Sequence, residues 1–409
     1  MKEQSKRPHI YELDPLRTCT AFSVVAVHVL AFTVLLNQTG LGVQIQNAVV
    51  VTFHFTREVF LFVTAFALVY VYNGRAFPFM QFWKKRGIGT LLPYVVWSIV
   101  YVCVNTPAQS PASFVHTALF DILTGNASYQ LYYILLTLQF YLIFPLFLLC
   151  LRHLAHHPWI VLCISFALQV LLFYTDFHVL QSNTSALPVF WQIFAQFQDR
   201  FVLIYQFYFV LGGITALYFQ QVRSFLLRYG TLVVSTLTVL LVALWLHFFL
   251  QVRVYGEPLG NATSVLQPIM VFYSGAIILF ALWLACRWAV KTGREEHPLS
   301  RRFWGKLSDA SFGVYLIHAL VLTYVLKWVV PAMPTTWFVA VRVILTWLLT
   351  VGGATALSLL LMNIPIVSRL VGRTGPQRME SVRRAQLLDQ HLRDRIEEKS
   401  HSHVQHIQP

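Results

Sequence analysis

Runs of about twenty apolar residues recur ten times along this chain, and nothing else in the sequence constrains its fold as strongly. They fall at 18–36, 48–72, 88–104, 131–151, 159–175, 201–219, 230–250, 265–287, 311–330 and 337–361. Each is long enough to cross a bilayer as a helix, the form in which a single segment satisfies all its backbone hydrogen bonds in lipid. Composition agrees. Of 409 residues, 57% are hydrophobic and 11% charged, whereas a soluble domain needs roughly 25% charged residues to cover its surface. The expected fold is an all-α integral membrane protein of about ten transmembrane helices in one bundle, solvated by lipid. A cleavable leader is not expected, because the first apolar run lacks a small-residue cleavage site and carries a histidine.

Ten crossings put both termini on one side. The net charge of +14 would suggest nucleic acid in a soluble protein; here its placement carries the information. With the termini inside, 25 of the 30 Lys and Arg residues lie in inner segments, and only Arg200 and Arg253 lie in outer loops. The positive-inside rule therefore predicts cytoplasmic termini and a multi-pass plasma-membrane protein. Residues 1–365 form the membrane domain, and 366–409 a basic polar tail whose stretch 377–399 suits a surface helix on anionic lipid. The loops 105–130 and 176–200 are long and polar enough for an outer rim. The five cysteines contain no CxxC pair, so neither a disulfide framework nor a zinc site is expected.

An ionisable residue inside a span is expensive and is a functional candidate. Arg17 and His28 stand eleven positions apart, three helical turns plus about 20°, so they share a face about 16 Å apart. A cation at the membrane mouth with a base at depth suits a long substrate with an anionic head and a reactive end, the shape of acyl-coenzyme A. The plain alternative is an interfacial anchor and a packed histidine. In the second run, His54 and Glu58 are four apart on one helical face, with Arg57 beside them. The carboxylate suits the orientation of an imidazole; a structural Arg57–Glu58 or His54–Glu58 pair is the alternative. Lys84, Lys85 and Arg86 precede the third run, as a topological signal or a phosphate clamp. Ser311 and His318 share a face in the ninth run, with Asp309 at its mouth. Gln139 and His247 are lesser candidates, and the His116–Asp121 pair lies in a loop, without the soluble α/β domain on which such a pair works. No metal site is expected: His153, His156 and His157 cluster without a carboxylate.

Six stretches in order resemble the acyltransferase-3 family of integral membrane acyltransferases, in a branch similar to the polysaccharide O-succinyltransferases of intercellular adhesin. They are DPLRTCTAFSVVAVHVLA, with the family's Arg-x10-His as Arg17 and His28, TREVFLFVTAF, FWKKRGIGTLLPYVVW, YYILLTLQFYLIFPL, FYFVLGGITALYF and LSDASFGVYLIHALVL. Together they cover roughly residues 11–362. The family's second basic residue after Arg86 is missing, since Gly89 and Thr90 stand there, and its Ser-Gly-Phe reads Thr64-Ala65-Phe66. The resemblance implies acyl transfer from cytoplasmic acyl-coenzyme A to a hydroxyl of a cell-envelope carbohydrate, with His28 catalytic and Arg17 its partner.

The expected scheme follows. Phosphates dock on Arg17 and on Lys84, Lys85 and Arg86; the thioester reaches His28; His28, oriented by Glu58, deprotonates the acceptor hydroxyl; Arg57 or a helix end stabilises the oxyanion; His318 lines the substrate site. Acyl-coenzyme A is a co-substrate and no cofactor is needed. Expected partners are the bilayer, acyl-coenzyme A and a surface glycan or glycolipid, with no nucleic acid. The rival readings are a transporter or flippase of a glycan or lipid-linked precursor, which uses buried charges as a path, and a membrane scaffold with a recruiting tail.

Overall fold

The computed structural model describes residues 7–106, 110–181, 187–294 and 298–372. The expected tail helix at 377–399 lies outside them. Among the described residues every regular element is helical.

α1 (Leu13–Thr33) continues through a 3-10 turn to Leu36 as the first candidate span. α2 (Gly40–Thr52) and α3 (Thr56–Tyr72) make up the second, with a turn between them. α4 (Phe79–Arg86), a π-helical turn at Gly87–Leu91 and α5 (Leu92–Asn105) form the third. A short helix α6 (Pro111–Thr124) leads to the spans α7 (Tyr132–Leu154) and α8 (Pro158–Thr175). α9 (Val189–Phe197) and α10 (Gln206–Leu217) lie on the two arms of a segment bent by 52°. The polar-faced α11 (Phe219–Arg228) precedes α12 (Gly230–Arg253), and one turn, α13 (Leu259–Ala262), precedes α14 (Pro268–Arg294). α15 (Pro298–Tyr324) and α16 (Val339–Met362) complete the bundle. Nine helices among the described residues are long and apolar enough to cross a membrane, ten if the bent pair counts as one crossing. The protein is an all-α, multi-pass membrane protein.

The bent pair is where the expected sixth span, 201–219, departs from a straight helix. The break at Phe201 leaves backbone groups there without helical partners. Two glutamines from neighbouring spans satisfy them. Gln139 of α7 donates to the Arg200 carbonyl (2.7 Å) and accepts from the Val202 N–H (3.1 Å). Gln169 of α8, fully buried, donates to the Ile204 carbonyl (2.5 Å) and accepts from the Phe207 N–H (3.2 Å). Gln139, a lesser candidate for chemistry, thus has a structural task.

Two cores result. α3 and α10 pack closely, joined by α7, α8, α12 and α14. Gly212 sets their separation: a Cβ there would collide with the Phe62 carbonyl oxygen and crowd Ala65 at 3.1 Å. The second core gathers α1, α5, α15 and α16, with α1 also against α3. The C-terminus of α3 is held by Arg152, which donates to the Tyr72 and Arg75 carbonyls, the arrangement that helix-end carbonyls favour. The polar connections expected to form a rim meet at Arg200, which donates to the Thr124 carbonyl and, at 2.7 Å, to Asn126.

Candidate active site

α1 carries the axis of the site. Arg17 lies near one end, and His28 is eleven residues further on. Phe32, one turn beyond His28, helps to line a cavity of about 370 Å³ with Tyr129, Leu322, Thr323, Leu326 and Lys327. The helix starts at Leu13, five residues before the expected span, so Arg17 is inside the helix.

At the Arg17 end, the π-helical turn after α4 brings Arg86 inward. Its guanidinium stacks on Tyr141 (4.8 Å) and Phe82 (5.6 Å). The charged and phenolic neighbours of Arg17 are Asp14, Tyr141, Arg86 and Asp309. Arg86, which stacks on Tyr141, and Arg17, from a helix far away in sequence, therefore lie on the same side of the bundle. Asp14, itself bonded to His9 at 2.8 Å, moderates their repulsion. Lys84 and Lys85 sit on α4 at the surface, both exposed. Of the three expected clamp residues, Arg86 reaches Arg17 most directly.

About three-quarters of the way along α1, the His28 ring lies 4.3 Å from Tyr129 and stacks on His318 at 5.4 Å with 23° between planes. His318 is fully buried. Its Nδ1 faces the Tyr315 carbonyl at 2.7 Å, a geometry in which Nδ1–H donates and Nε2 keeps its lone pair. That Nε2 has no hydrogen-bond partner among the described residues. The sequence separation of 290 residues conceals this pairing completely.

Tyr101 and Gln130 hold the arrangement, and sequence reasoning missed both. The Tyr101 hydroxyl of α5 donates to the Leu316 carbonyl (2.6 Å) and accepts from the Leu320 N–H (3.2 Å). It thereby brackets His318 on α15. Gln130 accepts from the Tyr315 hydroxyl through its carbonyl, while its side-chain oxygen accepts from Ser128 (2.6 Å). Asn105 donates to the Ala127 carbonyl (3.0 Å). These bonds pin the loop that sets Tyr129 over His28. The run NASYQLYY carries no periodicity beyond its aromatic content, so position in space alone identifies Tyr129.

The second expected run is not one continuous helix, and this corrects the shared-face argument for His54 and Glu58. The chain turns between Thr52 and Thr56, leaving His54 in the break and Arg57 and Glu58 in the first turn of α3. Glu58 bonds to Arg57 at 2.8 Å, and the two are 0% and 6% exposed. Arg57 also lies 4.3 Å over the Tyr205 ring and 3.4 Å from the Tyr132 hydroxyl. A carboxylate at a helix N-terminus is electrostatically favoured. The partner the structure gives Glu58 is thus Arg57, where His28 was expected.

His247 bonds Gln267 at 3.0 Å, away from His28. His116 is exposed on α6, and Asp121 of the same helix is pushed above the ordinary carboxylate range by partial burial. Among the described residues no three His, Cys, Asp or Glu side chains stand together as a metal site. All five cysteines are free.

Comparison with known proteins gives one result. A family model described as an acyltransferase domain, acyltransferase-3, matches residues 10–363. No curated protein and no solved structure matches the chain.

Proposed function

The chain belongs to the acyltransferase-3 family and is an acyltransferase moving groups other than amino-acyl groups; from that premise we propose that it transfers an acetyl- or succinyl-type group from acyl-coenzyme A to a hydroxyl of a cell-envelope carbohydrate. The proposed setting is the plasma membrane with both termini cytoplasmic, which places Arg17 at the donor side and the Phe32 cavity at the acceptor side. The observation that carries the reading is the linear order on α1. Arg17 with Arg86 near it, the half-buried His28 stacked on the buried His318, and a cavity at Phe32 follow one another along α1.

In this mechanism the nucleotide phosphates sit at Arg17 and Arg86, with Lys84 and Lys85 adding positive potential at the surface. Arginine suits the task because its planar fork bonds phosphate oxygens in pairs. The roughly 16 Å from Arg17 to His28 is spanned by the pantetheine arm. An acceptor hydroxyl enters past Tyr129. His28 removes its proton as the oxygen attacks the thioester carbonyl, and the thiolate of coenzyme A leaves and is protonated. His318, its tautomer fixed by the Tyr315 carbonyl, offers Nε2 as an acceptor to an amide N–H of the arm. Tyr129 closes the imidazoles off from the cavity, limiting hydrolysis. Arg57 and Glu58 act from a distance: their pair is buried in the first turn of α3, just after the turn that carries His54.

The test is coenzyme A release by purified protein in lipid, supplied with acetyl- or succinyl-coenzyme A and envelope glycan. Wild type is expected to release coenzyme A and to label the glycan. His28→Ala, at equal folded amount, is expected to lose about 10²–10⁴ of the rate, the usual contribution of a general base. Full activity in His28→Ala would overturn the scheme.

A further inference from the structure

The cavity at Phe32 sits directly above the stacked imidazoles. On α15, His318, Leu322 and Leu326 follow one another at intervals of four residues, and Thr323 and Lys327 repeat that interval beside them. Residues four apart share a helical face. The cavity therefore begins one turn beyond His318, just as Phe32 lies one turn beyond His28 on α1. Two of its walls are the rings of Phe32 and Tyr129, 5.2 Å apart. The Thr323 hydroxyl is spent on its own helix, donating to the Ala319 carbonyl (2.9 Å). The one charge in the lining is Lys327, in a π-helical turn at Val325–Val329. Such turns recur at functional sites.

Lys327 has no counter-ion among the described residues. Its ammonium lies 5.2 Å from the Trp328 ring, a contact that leaves the charge in place and its donors available. A second cation stands nearby. Arg342, in the first turn of α16, is 8% exposed, and its Nη2 donates to the Val330 carbonyl at 3.4 Å, three residues after Lys327. Its Nε has no hydrogen-bond partner among the described residues, and no described carboxylate pairs with it. Both facts run against the ordinary placement of a structural arginine. A buried charge is normally paired, and the start of a helix favours anions over cations. Two positive charges without described carboxylate partners thus give this end of the site a positive potential, beside apolar walls that screen it weakly.

We propose that the acceptor is an acidic glycan, and that Lys327 selects it by binding a carboxylate or phosphodiester while a hydroxyl of the same molecule reaches His28. The proposal rests on the acyl-transfer reading for the cavity's role as the acceptor site. Lys327 is a specificity residue and touches no reacting atom. Its three rotatable donors on a flexible stem suit either kind of anionic group. Arg342 contributes potential alone.

Equilibrium dialysis of the whole protein in phosphatidylcholine nanodiscs tests this with three forms of one tetrasaccharide: cellotetraose, its 6-carboxylate and its 6-(methyl phosphate) diester. At least one acidic form is expected to bind about fivefold or more tightly than the neutral one, the upper end for an ion pair within reach of solvent. The difference should shrink as salt is raised. Whichever acidic form leads identifies the source of the charge. Lys327→Gln should erase the ranking, Lys327→Arg should keep it and Lys327→Glu should reverse it. The ranking compares ligands on one protein, so a loss of folded material does not imitate it. Equal binding of the three forms by wild type, or binding of none, would overturn the proposal. So would a ranking that survives Lys327→Gln, the result for a lysine that meets only lipid headgroups. Coenzyme A release by the same samples reports on the acyl-transfer reading separately. Ranking without release keeps the acidic-glycan site and overturns the reaction, and release without ranking does the opposite.

Discussion

Removing the charge of Glu58 tests the energetics of the site from the inside. The Arg57–Glu58 pair is held at 2.8 Å with side chains 6% and 0% exposed. Glu58→Gln keeps the shape and leaves the guanidinium uncompensated. Breaking one partner of such a pair costs about 3–5 kcal/mol. The compensation that remains is the Tyr205 ring at 4.3 Å, worth about 0.5–2 kcal/mol, and a long contact to Tyr132. A net loss of about 3 kcal/mol is expected, a large part of a typical folding stability of about 5–15 kcal/mol. Replacing both residues, Arg57→Met with Glu58→Leu, removes the buried charges together and should cost less than Glu58→Gln alone. The assay is denaturant unfolding in micelles across the double-mutant cycle, with coenzyme A release measured on the folded fraction. The double variant is expected to keep release within about tenfold of wild type, the scale of a positioning effect of about 1.4 kcal/mol. Additive costs, with the double variant the least stable of the set, would refute the ion-pair reasoning. A stable double variant with no activity would instead make the Arg57–Glu58 pair a direct participant.

Other outcomes follow from the same geometry. Arg17→Ala should raise the KM for acyl-coenzyme A about 10- to 100-fold while changing kcat little, because a lost charged hydrogen bond to phosphate is worth about 1.5–3 kcal/mol and acts equally on ground and transition states; a kcat effect alone would contradict it. Tyr101→Phe strips the hydroxyl that brackets His318. It should cost about 1–3 kcal/mol of stability and lower kcat, whereas Tyr94→Phe, which loses a bond to the Ile122 carbonyl away from the histidines, should spare kcat. Gly212→Ala should cost about 1–3 kcal/mol in thermal unfolding by forcing α10 off α3, and wild-type stability would show that the two helices yield freely.

Arg17 and His28 were legible because one helix carries both, and helical geometry converts their spacing directly into a shared face. Arg86 was legible only as one of three candidates; stacking on Tyr141 separates it from the exposed Lys84 and Lys85. Tyr129, Tyr101 and Gln130 gave no signal, since their tasks exist only where three distant segments meet. The shared face of His54 and Glu58 failed for a definite reason. Apolar length is the same for a straight span and for one broken near its middle, so the sequence pattern passes over the turn between Thr52 and Thr56.

What the chain determines by itself is therefore one-dimensional: which stretches enter the bilayer, which side its basic residues favour, and which polar residues are costly enough to need a reason. Those follow from transfer energies that act residue by residue. The pairing of His28 with His318, the commitment of Glu58 to Arg57 and the tolerated break at Phe201 belong to tertiary structure. The first and the last depend on residues brought in from other helices, and the Arg57–Glu58 pair, made within one helical turn, is buried against Tyr205 and Tyr132 from elsewhere in the chain.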